Sequence, residues 1–295
     1  MPPKDVDHRG DGPGNGRLAR APLVDRRDHG EPSLFLPENL LREARRQKGL
    51  ADGPVPAVCV LDPDGDIAGH LRARNAVARS PRWACYHTDL WVLAEDGLEI
   101  GIVDRAVGAS FAVLVAEQLF VSGCRLLISV TSAGQIVESG PTPYFIVIDR
   151  ALRDEGTSYH YLPAAPYAAA PPALLALAEG AMAGCGEPVY RGASWTTDAP
   201  FRETASTIAR RRADGILAVE MEAAALYAFA EVRAKPVLCL AHVTNQLGRV
   251  ERDFEKGAHN GAEAALRVVA AIARGWLAQE DSARVAGDRT ASHAG

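Results

Sequence analysis

The sequence has no basic surplus: 32 Lys and Arg stand against 37 Asp and Glu, a formal charge of −5. Proteins that coat nucleic acid or anionic lipid draw their affinity from a basic surface that releases counterions, so both tasks are excluded and a small-molecule ligand becomes the default. Cysteine is scarce as well. Cys59, Cys85, Cys124, Cys185 and Cys239 show no C-x-x-C spacing and several lie in apolar runs, which suggests neither a zinc site nor a disulfide frame and points to a reducing compartment. His8, His29, His293 and the other histidines carry no metal-ligand spacing, so no metal is expected. No apolar run reaches the roughly 20 residues that span a bilayer, and the first thirty residues lack the apolar core of a signal peptide. The expectation is a cytoplasmic protein that binds neither membrane nor nucleic acid. What the chain does have is 47% hydrophobic residues over 295 positions, enough for one large core or two small ones.

Residues 1–32 and 279–295 are rich in Gly, Asp, Arg, Ser and Pro, and their composition predicts two disordered tails around a folded unit over 33–278. Inside that unit, apolar runs alternate with helical patterns. Strands are predicted at 56–61, 125–131, 144–152, 189–197, 215–219 and 236–243, with a hairpin over 91–103 turning on Asp96 and Gly97. Helices are predicted around 38–48, 108–123, 171–184 (opened by prolines), 204–215, 220–232 and 256–277. Strands separated by helices imply a parallel or mixed sheet covered on both faces, with sites at the carboxyl ends of strands. Three strand ends therefore matter: 131–135, 195–204 and 219–222.

At the third of these, an apolar strand runs into an alanine-rich helix and carries Glu220 and Glu222 into small, dry surroundings. A buried carboxylate is costly without partners, and two helical residues separated by two positions point about 200° apart, so only one can face a given pocket. A sugar diol would satisfy such a carboxylate with two hydroxyl donors; a helix N-terminus, which favours negative charge, is the plainer account. At the first strand end, the small residues Thr131, Ser132, Ala133 and Gly134 let backbone N–H groups and hydroxyls converge on an anion or a sugar oxygen. At the second, Asp198 followed by Pro200 reads as a helix cap, with Phe201, Arg202 and Glu203 close behind.

The stretch Val219-Glu220-Met221-Glu222-Ala223-Ala224-Ala225 resembles the ribose-binding signature of the nucleoside phosphorylase family, which includes purine nucleoside phosphorylases, uridine phosphorylases and methylthioadenosine nucleosidase. The resemblance continues in order through Thr131–Gly134, the segment Arg153–Ser158 with Tyr161, and Ser194–Asp198, and is closest to the uridine phosphorylase branch. It implies a single α/β domain with a mixed, partly barrel-like central sheet flanked by helices. It also implies cleavage of the N-glycosidic bond of a nucleoside by phosphorolysis, giving free base and a (deoxy)ribose 1-phosphate, with no cofactor and with inorganic phosphate as co-substrate. Glu222 would hold the ribose hydroxyls with Met221 beneath the sugar and Glu220 nearby. Phe201, Arg202, Glu203 and Tyr161 would meet the base, with Glu222 and Arg202 the catalytic pair. The family assembles as dimers or as hexamers of dimers, so a homo-oligomer is expected, and the helix at 38–48 is a segment that could reach a neighbour's site.

The chain departs from the family at the acceptor. Where phosphorylases carry an early Gly-Asp-Pro-type loop with an arginine, this sequence reads Leu61-Asp62-Pro63-Asp64-Gly65-Asp66, and before the 131–134 turn it has Leu127, Ile128, Ser129 and Val130 in place of a second arginine. Thr131, Ser132 and Arg105, which follows an apolar strand, are left to receive phosphate. In place of the purine-specific proton donor the chain reads Ala241-His242-Val243-Thr244-Asn245. His242 and Asn245 are the proton-donor candidates, although an asparagine has no matched pKa for the task and a histidine in an apolar run is usually packed core. A phosphate-independent nucleosidase, and a nucleoside-binding protein without catalysis on the same fold, are the alternatives these departures raise.

Overall fold

The computed structural model describes residues 23, 28–247, 251 and 253–291. Pro37 opens helix α1 (Pro37–Lys48) and Gly49, in the left-handed region, ends it. Then follow β1 (Val58–Asp62), α2 (Asp66–Ala73), β2 (Val77–Arg79), β3 (Trp91–Glu95), β4 (Leu98–Asp104), α3 (Ala109–Val121), β5 (Leu126–Gln135), β6 (Tyr144–Asp154), α4 (Ser158–Tyr161) and β7 (Tyr167–Ala169). The chain continues through α5 (Pro172–Met182), β8 (Val189–Thr197), α6 (Ala205–Ala213), β9 (Ala218–Glu220), α7 (Ala223–Arg233), β10 (Val237–Asn245) and α8 (Ala262–Ala291). The β3–β4 hairpin turns at Asp96 and Gly97, both at positive φ, as a two-residue hairpin loop demands.

Five strands close on themselves. β5 pairs parallel with β10, β10 antiparallel with β6, β6 parallel with β8, β8 parallel with β9, and β9 antiparallel with β5. From β5 the sheet opens outward through β1, β4, β3 and β2, with β7 attached to β6. This is the mixed, partly barrel-like sheet flanked by helices that the sequence resemblance implies. Residues 223–230 of α7 are buried on every side, as an all-apolar helix must be. Its Tyr227 hydroxyl donates to the Ile148 carbonyl at 2.5 Å and accepts the Cys239 amide at 3.0 Å, tying β6 to β10.

The local structure departs from the sequence reading in three places that shape the site. The small residues 131–134 form no turn: β5 runs extended through them to Gln135, and their smallness lets neighbouring chain approach. A Cβ on Gly134 would stand 2.2 Å from the Leu247 side chain. The helix expected from 220 begins at Ala223, which leaves Glu220 on β9 and makes Glu222 the N-cap residue, so the 200° helical argument does not describe the pair. Helix α2 was not anticipated. The buried Asp62 carboxylate starts it by accepting the Gly65 and Ala68 amides at 3.2 and 2.9 Å, a capping role taken by a residue that precedes Pro63 and Gly65. At the far end α8 passes the boundary drawn at 278, with Glu280 paired to Arg125 and the Ser282 hydroxyl donating to the Ala278 carbonyl. Residues 1–22, most of the N-terminal tail assignment, lie outside the described residues.

Candidate active site

The carboxyl ends of β5, β9 and β10 meet at one mouth of the barrel. The register places Gly134 beside Val219 and joins Ala133 to Val243 and Gly134 to Asn245. A cleft of about 630 Å³ opens there, lined by Ser132 to Gly134, by Glu220 and Met221, by Asn245, and by Phe201 and Glu203 from the loop after β8. Phe201 stands wholly exposed at its edge, and Phe254 also lines it. Two exposed aromatic rings at the rim of an open cleft are suited to the faces of a planar ligand.

The two glutamates divide their roles. Glu220 is buried and fully engaged: Oε1 accepts from the Ser194 hydroxyl at 2.9 Å and the Thr196 hydroxyl at 2.5 Å, and Oε2 accepts the Glu222 and Ala223 amides. Burial raises its pKa, and those donors pull it back down. Its carboxylate serves the start of α7 and has no lone pair left for a sugar. Glu222 lies one position deeper and does not line the cleft; its oxygens accept the Gly108 amide at 2.7 Å and, weakly, the Met221 amide at 3.3 Å. Burial first, then the Glu220 charge, push its pKa to about 8, with Gly108 and the Thr131 hydroxyl opposing. Carboxyls with pKa displaced toward neutrality concentrate at sites of chemistry.

Several expected site residues stand elsewhere. Tyr161 is on α4, its hydroxyl donating to Glu117 at 3.0 Å and its ring edge-on to Phe229, so it packs against α7 and meets no base. Arg202 is exposed and does not line the cleft, leaving Glu203 as the charged residue of that loop in the lining; burial raises the Glu203 carboxyl to about 7. Asp198 caps no helix: it accepts the Gly156 amide at 2.8 Å and joins two loops, while Thr204 caps α6. Arg105, at a left-handed φ of 61°, folds over Gly65 with its guanidinium in solvent, 3.9 Å from Asp104 and not on Ser132. His242 is stacked on Phe145 at 4.5 Å, and burial lowers its pKa to about 4, so at neutral pH it has no imidazolium proton to give. Asn245 does line the cleft, with its amide nitrogen donating to the Ala133 carbonyl at 3.4 Å and its oxygen accepting the Leu247 amide at 3.0 Å.

Two participants had no signal in the sequence. Gly108, which donates to Glu222, lies 114 residues away in the chain, and Phe254 sits in a charged stretch with no apolar period.

Residues 76–274 match the sequence profile of the phosphorylase superfamily, and the chain belongs to that family. Among solved structures, uridine phosphorylase from Vibrio fischeri ES114 in complex with 6-hydroxy-1-naphthoic acid is similar, with a TM-score of 0.62 and 22% identity over 75% of this chain and 90% of that one. A second structure of the same Vibrio fischeri enzyme gives a TM-score of 0.61, again at 22% identity, over 75% of this chain and 93% of that one. At this identity the likeness establishes the fold. No curated protein matches the chain by sequence.

Proposed function

We propose that this protein cleaves the N-glycosidic bond of a nucleoside, releasing the free base. The observation that carries the reading is the convergence of three strand ends on one cleft, where Ser132, Met221 and Asn245 line a space of about 630 Å³ rimmed by Phe201 and Phe254, with Glu222 behind Met221 and outside the lining. The bond breaks through a transition state in which positive charge develops on the sugar, so the enzyme must hold the sugar, assist the leaving base and present an acceptor.

Met221 forms the floor for the sugar. Glu222 receives its hydroxyls once the Gly108 amide gives way, a movement of the turn between β4 and α3. The base lies against Phe201, with Glu203 at its edge. Glu220 stays with α7, and no cofactor takes part.

The acceptor expected from the family is inorganic phosphate, received at Thr131 and Ser132. A second reading, hydrolysis, is favoured by a specific observation: among the described residues no arginine side chain is bonded to Ser132, and Arg105 is turned to solvent. The test is incubation with purine and pyrimidine nucleosides, with and without phosphate, followed by chromatography of the free base. Release of a base supports the reading; binding without turnover across the whole panel replaces it with that of a nucleoside-binding protein.

A further inference from the structure

Ser132 offers two hydrogen-bond donors at the inner end of the cleft, and both are engaged by the chain's own carboxylate. Asp64 Oδ2 accepts the Ser132 amide at 3.0 Å and, in a short bond, the Ser132 hydroxyl. Lys256 holds this arrangement from the other side, its ammonium 3.5 Å from Asp64 and 2.5 Å from Asp66, while Asn260 donates to Asp66 at 3.3 Å. The Lys256 cation beside the acceptor seat is therefore already paired with two carboxylates. Behind Ser132, the side chains of Asp62, Asp64, Asp66, Thr131 and His242 enclose a recess of only about 10 Å³. That is room for about one water molecule, with more than enough polar partners to hold it, and far too little for a tetrahedral oxyanion.

We infer that Asp64 is a built-in anion filling the acceptor seat, so that the sugar passes to water and not to phosphate. The inference rests on the nucleoside-cleaving reading above and decides its acceptor. In the step, the C1′–N bond breaks with its electron pair leaving on the base, and the water oxygen bonds to C1′. One water proton stays in the new sugar hydroxyl, and the other passes through the carboxylates of the recess to the base nitrogen. Phosphate is kept out by the loss of both Ser132 donors and by like charge, since a dianion a few ångströms from Asp64 and Asp66 is repelled at this partly exposed site.

The experiment has two arms. In the first, base release by the native protein is followed with no phosphate and with phosphate raised to saturating levels, in water enriched in oxygen-18. The expected result is one rate throughout, with the label in the sugar product; a rate that climbs and saturates with phosphate overturns the inference. In the second, inorganic phosphate is titrated calorimetrically into the native protein, Asp64→Ala and Asp64→Asn. Emptying or neutralising the seat is expected to tighten phosphate binding by roughly tenfold or more, in at least one folded variant. Phosphate binding to the native protein as strong as to the folded variants overturns the inference. Failure to cleave any nucleoside in the first arm refutes the proposed function alone, because the titration judges the seat without turnover.

Discussion

Glu220 Oε2 accepts the amide protons of both Glu222 and Ala223, each at 2.7 Å, so a carboxylate at the end of β9 caps the helix that follows it. The same side chain, through Oε1, holds Ser194 and Thr196 on β8, and Thr196 in turn accepts the Ala224 amide at 2.9 Å. One buried carboxylate thus joins a barrel strand to the first turn of the central helix.

Replacing Glu220 with Ala strands two buried amides and two hydroxyls. The expected loss of stability is about 2–4 kcal/mol, the cost of unsatisfied buried donors, read as a lower urea midpoint at unchanged slope. A loss smaller than that of Glu222→Ala would show that Glu220 is not the cap.

Glu222→Gln keeps the shape and an acceptor but removes the charge that the proposed function assigns to the sugar hydroxyls. It should lower kcat/KM for base release by about 10- to 100-fold, the worth of a charged hydrogen bond, and leave the circular dichroism spectrum unchanged. In the native protein kcat/KM should climb as pH passes through the Glu222 pKa near 8, and that limb should vanish in the variant. A limb that survives in the variant assigns it to another group.

Stability has a matching pH dependence. Burial raises Asp62 and Glu203 to about 7 and Glu222 to about 8, so the folded protein retains protons that the unfolded chain has released. Their contribution is complete below the ordinary carboxylate range and is lost as pH rises through 7 and 8. His242, lowered to about 4, works in the opposite direction, but only below its ordinary value of 6.5. Between pH 6.5 and 8.5 the urea midpoint should therefore fall, and Asp62→Asn or Glu222→Gln should flatten the slope. A midpoint that rises over this interval contradicts the assignment.

Gly261 sits at φ 75°, and a Cβ there would be 2.1 Å from His242 Cε1 and 2.7 Å from the Lys256 carbonyl. Gly261→Ala should cost about 2–4 kcal/mol from overpacking and backbone strain, measured by thermal melting. Pairing it with His242→Ala should recover only part of the loss, because the left-handed backbone and the carbonyl clash remain. Full recovery would show that the ring contact alone decides the position.

The main strands and helices were legible because their apolar periods are long and their ends carry Pro, Gly or the Asp96-Gly97 turn. Helix α2 was hidden because its start depends on Asp62, a residue at the end of a strand. The family motif singled out Glu220 and Glu222, but it does not show that β9 stops at Glu220 and leaves Glu222 at the cap. Arg202 and Tyr161 were misplaced for a different reason: a polar or aromatic residue in a matched segment has no orientation until its loop is built. The acids of the 62–66 loop stand out in the sequence as a departure from the family, yet the grip of Asp64 on Ser132 spans 68 residues of chain and has no local signature.

Strand β9 is only three residues long, and it is the segment that closes the barrel between β8 and β5. Because Glu220 ends it and Met221 and Glu222 follow at once, ring closure and assembly of this side of the cleft are one molecular event. A folding intermediate with β9 undocked would have an open ring and no ligand-binding wall, whatever the state of its other strands. A nucleoside bound against Met221 would act as a clasp on the barrel, and amides of β9 and the first turn of α7 would be the ones whose hydrogen exchange it slows most.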